Sequence, residues 1–98
     1  MTETAEVTDN DFLRQFEYKI DNDLAIIEYS LQERKIFLTK LIVSEEHDNE
    51  TFRDEFITLV LKNIQERNLS VMPTCPTIAK FVRKHREYKS MLPIGVRI

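Results

Sequence analysis

The chain has 98 residues, of which 42% are apolar and 32% charged, a balance typical of one globular domain rather than of a disordered chain. Its single cysteine excludes an internal disulfide, and no apolar run approaches the roughly 20 residues that span a membrane. No charged-then-apolar signal opens the chain, so we expect a cytoplasmic protein without a membrane partner. The polar, acidic residues 1–10 are expected to be disordered, with a single domain over residues 11–98.

The net charge of −3 combines an acidic front with a basic end. Residues 1–67 hold 8 Lys/Arg against 16 Asp/Glu, and residues 68–98 hold 6 Lys/Arg against the single acid Glu87. Two interpretations of this asymmetry stay open. In the first, the two parts attract each other or are solvated separately. In the second, the basic end is a patch that binds phosphate or an acidic partner. The basic run Arg83-Lys84-His85-Arg86 lacks interleaved aromatics and any nucleic-acid-binding motif, which argues against nucleic acid as the partner.

Three strands are predicted first. In residues 12–20, apolar side chains fall mostly on alternate positions, and the same period recurs in residues 25–31. Residues 36–43 form a third, more continuously apolar segment. The polar residues 21–23 and 32–34 are typical of tight turns. Such short connections predict an antiparallel meander.

A helix is predicted next, because the apolar residues between 52 and 64 follow helical spacing. Its N-terminus has several candidate caps. Thr51 and Asp54 have the spacing of a capping box, whereas Asp48 or Asn49 could cap instead.

The remaining elements are a short strand and a second helix. Residues 69–72 form a strand that Pro73 ends, and the preceding helix allows this strand to return parallel to the third. Cys75 and Pro76 then open a helix, with proline at its preferred first position. The sequence therefore predicts an α+β fold of order β-β-β-α-β-α: a three-strand antiparallel meander, a parallel fourth strand, and both helices on one face.

Cys75 is the sharpest candidate for chemistry. It lies where a strand ends and a helix begins, and the positive end of a helix dipole favours the thiolate. The alternative is a small apolar core residue, a common role for cysteine. No spacing ties His47 or His85 to Cys75 as a triad, and one cysteine with two histidines fits no zinc pattern, so no metal site is predicted.

Residues 75–88 read CPTIAKFVRKHREY, in which Cys-Pro opens an apolar helix and Arg/Lys, His and Tyr close it. This block resembles the closing signature of very small GNAT-like N-acetyltransferases. The approach to it, a strand over residues 36–43 and a helix ending at Asn68-Leu69 before Ser70-Val71-Met72-Pro73, is similar to that family too. The resemblance covers roughly residues 17–92.

The resemblance implies a trimmed GNAT-like fold that binds acetyl-CoA beside the third strand and the first helix. It implies a cofactor contact at the backbone of Val43, and a cysteine, Cys75, at the acetyl end of the site beside Pro76. It also implies a loop that wraps the pyrophosphate, at positions that Asn49, Thr51 and Arg53 occupy here. The acceptor would be an amine of unknown identity.

This sequence departs from the family at that loop. All three glycines of the family pattern are absent, and the only glycine of the chain is Gly95. Acidic residues crowd the same place, where they suit a helix N-terminus but oppose a phosphate: Glu45, Glu46, Asp48, Glu50, Asp54 and Glu55. Two functions therefore stay open, an acetyl-CoA-dependent acetyltransferase with a divergent loop and a non-catalytic binding module for another protein.

Overall fold

The order of secondary-structure elements follows the apolar pattern in the computed structural model, which describes residues 7–20, 23–93 and 95–96. The strands of the described residues are β1 (Thr8–Asn10), β2 (Gln15–Ile20), β3 (Asp23–Gln32), β4 (Lys35–Ile42) and β5 (Ser70–Pro73). The helices are α1 (Glu50–Glu66) and α2 (Pro76–Lys84), with 3-10 turns at Glu45–His47 and Arg86–Met91. The predicted α+β order is confirmed, and one strand precedes it.

One sheet holds these strands in the order β1-β2-β3-β4-β5. Neighbours from β1 to β4 are antiparallel, whereas β5 is parallel to β4. A parallel neighbour requires a crossover, which α1 provides between β4 and β5. The predicted meander and the parallel strand after it are thus confirmed. Of the first predicted turn, Asp21 and Asn22 lie outside the described residues.

The strand β1, Thr8–Asn10, lies within residues 1–10, for which the sequence led us to expect disorder. Asp9 pairs with Phe16 of β2, and its carboxylate accepts a hydrogen bond from the Tyr29 hydroxyl at 2.6 Å. The Arg67 guanidinium lies 2.8 Å from the other oxygen of the same carboxylate. These partners are distant in sequence, so a local polarity pattern does not reveal them. Residues 1–6 lie outside the described residues.

The first predicted strand begins later than expected. Phe12 lies in the turn that precedes β2, and its side chain is 92% exposed. The amide of Leu13 donates to the side chain of Asn10 at 3.1 Å, and Arg14 has a φ of 57°. A left-handed residue cannot continue a strand, so regular pairing resumes only at Gln15.

The core lies between one face of the sheet and the two helices. The buried strand residues alternate with exposed or half-buried ones, and they are Phe16, Ala25, Ile27, Tyr29, Ile36, Leu38 and Val71. The helices bury Phe52, Phe56, Ile57, Val60, Leu61, Ile64, Ile78, Phe81 and Val82. Because only one set of alternating positions is buried, both helices cover the same face, as predicted.

Both ends of α1 are marked by an asparagine. Asn49 is the N-cap, and its side-chain oxygen accepts a hydrogen bond from the amide of Phe52 at 2.8 Å. Among the candidate caps, the structure therefore selects Asn49. At the other end Asn68 has a φ of 60°, and its amide donates to Gln65 at 3.0 Å. A single residue in the left-handed conformation is a common end of an α-helix. In the described part of the chain, no helix has both the length and the apolar character needed to cross a membrane.

Replacing Asn49 by alanine tests the cap. The amide of Phe52 then loses its acceptor, and we expect the free energy of unfolding to fall by about 1 kcal/mol. Thr51→Ala is the matched control, because Thr51 is exposed within the first turn and alanine favours the helix. Urea unfolding followed by circular dichroism measures both variants. A larger loss in Thr51→Ala than in Asn49→Ala contradicts this assignment.

Replacing Tyr29 by phenylalanine tests the contact that fixes β1. Burial and then the hydrogen bond to Asp9 raise the pKa of Tyr29 from 10.0 to about 12. Because this folded-state pKa lies above the unfolded one, the neutral phenol stabilises the fold fully below pH 10.0, and the effect is lost as the pH rises towards 12. We expect Tyr29→Phe to cost about 1 kcal/mol at neutral pH and to abolish this alkaline loss.

Urea unfolding at several pH values measures this difference. Tyr18→Phe is the control, because the Tyr18 hydroxyl donates to Glu55 at 3.2 Å in an exposed position and is expected to contribute less. Equal losses in the two variants at neutral pH, or an unchanged alkaline loss in Tyr29→Phe, contradict the account of β1.

Candidate functional site

The strands β4 and β5 separate at Leu38. The carbonyl oxygen of Leu38 accepts hydrogen bonds from the amide of Thr74 at 3.1 Å, the Thr74 hydroxyl at 2.9 Å and the amide of Cys75 at 3.0 Å. These bonds turn the chain from β5 into α2, while β4 continues to Ile42. The pairing of β4 with β5 accordingly ends at Leu38 and Pro73.

A β-bulge in β4 lies at the same point. Glu28 of β3 pairs with Lys40, and the next residue, Tyr29, pairs with Leu38, so that Thr39 is an extra residue in β4. The Thr39 hydroxyl donates to the carbonyl of Glu28 at 3.1 Å. Bulges bend and twist a strand. The bend and the turn into α2 together open the space between the end of β4 and the start of α2.

This space is a cleft of about 420 Å³. Its walls come from the end of β4, the start of α1 and the start of α2, and its lining residues are Leu41, Ile42, Val43, Asp48, Arg53, Thr77 and Lys80. A smaller hollow of about 160 Å³ continues between α1 and α2. Arg53, Thr77 and Lys80 line both, so the two hollows form one groove.

Charges of opposite sign face each other along this groove. The guanidinium of Arg53 forms an ion pair with the carboxylate of Asp48. One helical turn away, Lys84 donates to Glu50 at 3.0 Å in an exposed position. The hydrogen bond from Lys84 lowers the pKa of the Glu50 carboxyl, and the same bond raises the pKa of Lys84. The acids of α1 and the cations of α2 therefore meet across the groove.

The structure brings two of the predicted cofactor residues into the cleft. Val43 and Arg53 are lining residues. Asn49 caps α1, and Thr51 is exposed outside the lining of both hollows. Pro76 occupies the first turn of α2 and is exposed, also outside that lining.

Cys75 lies beside the cleft, in the core. It is the N-cap residue of α2, its side chain makes no capping hydrogen bond, and it is only 7% exposed. Its amide donates to Leu38, and its carbonyl accepts from Ala79 at 2.9 Å. Cys75 thus occupies the point where β4 and β5 separate, and its neighbour in the first turn of α2, Thr77, reaches the cleft.

Several lining residues were not predicted as site residues. Leu41 and Ile42 end β4 directly before Val43, so a cofactor contact at Val43 implied contacts at these two residues as well. Thr77 and Lys80 are exposed residues of α2, and only the separation of the strands turns them towards a cleft. Asp48 was read as an opponent of phosphate, and the structure places it in the cleft wall.

One cluster of metal-ligand residues occurs in the described part of the chain. Ligand atoms of Asp23, Glu46 and His47 lie within 4.8 Å of one another. The His47 Nε2 is 3.1 Å from Asp23, whose carboxylate also accepts from Ser44 at 3.0 Å. These contacts join the start of β3 to the 3-10 turn before α1.

Comparison with known proteins identifies the family of the chain. No curated protein shows significant similarity to the chain. A family described as GCN5-related N-acetyl-transferase matches residues 15–91, from β2 to the last 3-10 turn. This match covers most of the chain and confirms the resemblance seen in residues 75–88. The chain therefore belongs to the GCN5-related N-acetyl-transferase family.

Proposed function

We propose that the cleft binds acetyl-CoA and that the domain transfers the acetyl group to an amine. The separation of β4 and β5 at Leu38 carries this proposal, because it opens a cleft between a free strand end and a helix start. The family generally uses acetyl-CoA, which gives the cleft its expected ligand. The apolar Leu41, Ile42 and Val43 suit the acyl end, and Arg53 and Lys80 suit the phosphates.

The residues that line the cleft fit acetyl-CoA, but with side-chain cations instead of a glycine-rich loop at the phosphates. Glycine amides are absent from the loop before α1, and the Phe52 amide is already bonded to Asn49. Two cationic side chains, Arg53 and Lys80, would hold the phosphates in place of backbone amides. The strand end of β4 would align the extended arm of the ligand, since its backbone beyond Leu38 has no partner in β5.

Bound acetyl-CoA would supply an activated thioester. Attack of an amine nitrogen on the thioester carbon would form the C–N bond and break the C–S bond, and the amine proton would leave with the CoA thiol. The chain's own contribution is to orient the reactants and to exclude water beneath the cleft. Cys75 is proposed to lie at the acetyl end, a place supported by the hydrogen bond that its backbone amide donates to the Leu38 carbonyl at the point of strand separation.

A second candidate is a non-catalytic module that binds another protein. The Asp48–Arg53 ion pair and the Asn49 cap favour it, because both satisfy groups that a phosphate would need. The sheet face opposite the helices also exposes an apolar side chain, Leu24, which is 44% exposed. Such a module keeps the family fold without the family reaction.

Acetyl transfer to a panel of polyamines, aminoglycosides and lysine peptides, followed by CoA thiol release, separates the two candidates. We expect saturable turnover with at least one amine. Cys75→Ala should lower kcat by about 10-fold or more and leave the affinity for acetyl-CoA nearly unchanged, because alanine removes the thiol proposed to lie at the acetyl end and keeps the backbone hydrogen bond to Leu38. Arg83→Gln is the control, since Arg83 is exposed on α2 and does not line the cleft.

Three outcomes of these assays test the transfer reaction and the place of Cys75. A mass increase of one acetyl group on Cys75 without an amine supports a covalent route through the thiol. Unchanged kcat in Cys75→Ala contradicts the proposed place of Cys75. The absence of turnover with every amine contradicts the transferase and favours the binding module.

A further inference from the structure

We propose that Asp48 is an internal competitor for the phosphates of the cofactor, so that a diphosphate must displace its carboxylate from Arg53 in order to bind. This inference rests on the proposed function, because it concerns the phosphate end of the same cleft. Asp48 and Arg53 both line the cleft and form an ion pair there. The carboxylate thus already holds the cation that would meet an incoming phosphate.

The backbone holds the two residues in position. Asp48 ends the 3-10 turn, and its amide donates to Glu45 at 3.4 Å. The next residue, Asn49, caps α1, and its carbonyl accepts the amide of Arg53 at 3.0 Å. Asp48 therefore directly precedes the N-cap of α1 and Arg53 lies one turn into the helix, so their side chains meet at the cleft without reorganisation of the chain.

The ion pair is open to exchange. The side chain of Asp48 is 47% exposed and that of Arg53 is 31% exposed, so water and ions can reach both. Exposed ion pairs are worth little, typically about 0.2–1 kcal/mol. A doubly charged phosphate can replace a single carboxylate at the guanidinium, but the displaced carboxylate stays attached beside it. Repulsion between these like charges opposes binding.

A similar arrangement recurs one helical turn along the groove, where Glu50 faces Lys84. Asp54 of α1 and Lys80 of α2 line the same hollow. Acids and cations therefore alternate around Arg53, and a singly charged anion gains little over the resident carboxylates. A diphosphate can contact Arg53 and Lys80 together, which favours it over a single phosphate. The cleft is thereby selective for a diphosphate, because only a ligand that binds Arg53 more strongly than the Asp48 carboxylate does can displace it.

The test compares inorganic pyrophosphate, inorganic phosphate and acetyl-CoA, each titrated at constant ionic strength and followed by amide chemical shifts. Constant ionic strength is essential because salt screens exposed charges. The variants are Asp48→Asn and, as the matched control with the same change of charge, Glu45→Gln. Glu45 is exposed in the same 3-10 turn and does not line the cleft.

We expect Asp48→Asn to bind pyrophosphate about 5- to 10-fold more tightly than Glu45→Gln does, a gain that reflects the loss of competition rather than of net charge. Adding Arg53→Gln to Asp48→Asn should remove the gain, because no guanidinium is left to release. Phosphate should gain less than pyrophosphate.

Equal pyrophosphate affinities in Asp48→Asn and Glu45→Gln overturn the inference, as does the absence of pyrophosphate binding in both. A gain for pyrophosphate with no binding of acetyl-CoA supports the role of Asp48 and contradicts the proposed function instead. A gain for both ligands supports the two together. Asp48→Ala repeats the test without the amide, so a hydrogen bond introduced by asparagine cannot produce the result.

Discussion

The carbonyl oxygen of Leu38 is the group on which the candidate site depends. It accepts three hydrogen bonds from Thr74 and Cys75, and these bonds end β5 and begin α2. If β5 continued alongside β4, the strand end at Leu41 and Ile42 would be paired and the cleft would be closed. The bulge at Thr39 bends β4 at the same level. Strand separation, helix start and cleft are thus consequences of one local arrangement.

The proposed phosphate end of the cleft differs from a glycine-rich loop in the groups that it offers to an anion. Such a loop offers backbone amides at a helix N-terminus, whereas here the Asn49 side chain caps that terminus. Under the proposed function, phosphate binding would rely on side-chain cations, and acidic neighbours hold two of them, Arg53 and Lys84. The acids complement the helix dipole and stabilise α1. Stability of the free domain and affinity for an anion therefore oppose each other in the same residues.

Sequence periodicity was enough to locate both helices, the three main strands and the parallel return, because the apolar stripes are long and Asn68, Pro73 and Pro76 mark the boundaries. It could not reveal β1, since the partners of Asp9 come from β3 and the end of α1. In the site, Val43 and Arg53 were predicted from the family resemblance. Thr77 and Lys80 were not, because an exposed helix face becomes a cleft wall only through the separation of distant strands.

Amide chemical shifts during a titration with acetyl-CoA and free CoA test whether the cleft binds the cofactor, with Lys80→Gln as the site variant and Arg83→Gln as its control. The account predicts saturable shifts at Leu41, Ile42 and Val43 of the strand end and at Thr77 in α2. It also predicts weaker binding in Lys80→Gln and unchanged binding in Arg83→Gln. Shifts confined to another surface, or no shifts at millimolar ligand, would contradict the assignment of the cleft between β4 and α2 as the acetyl-CoA site.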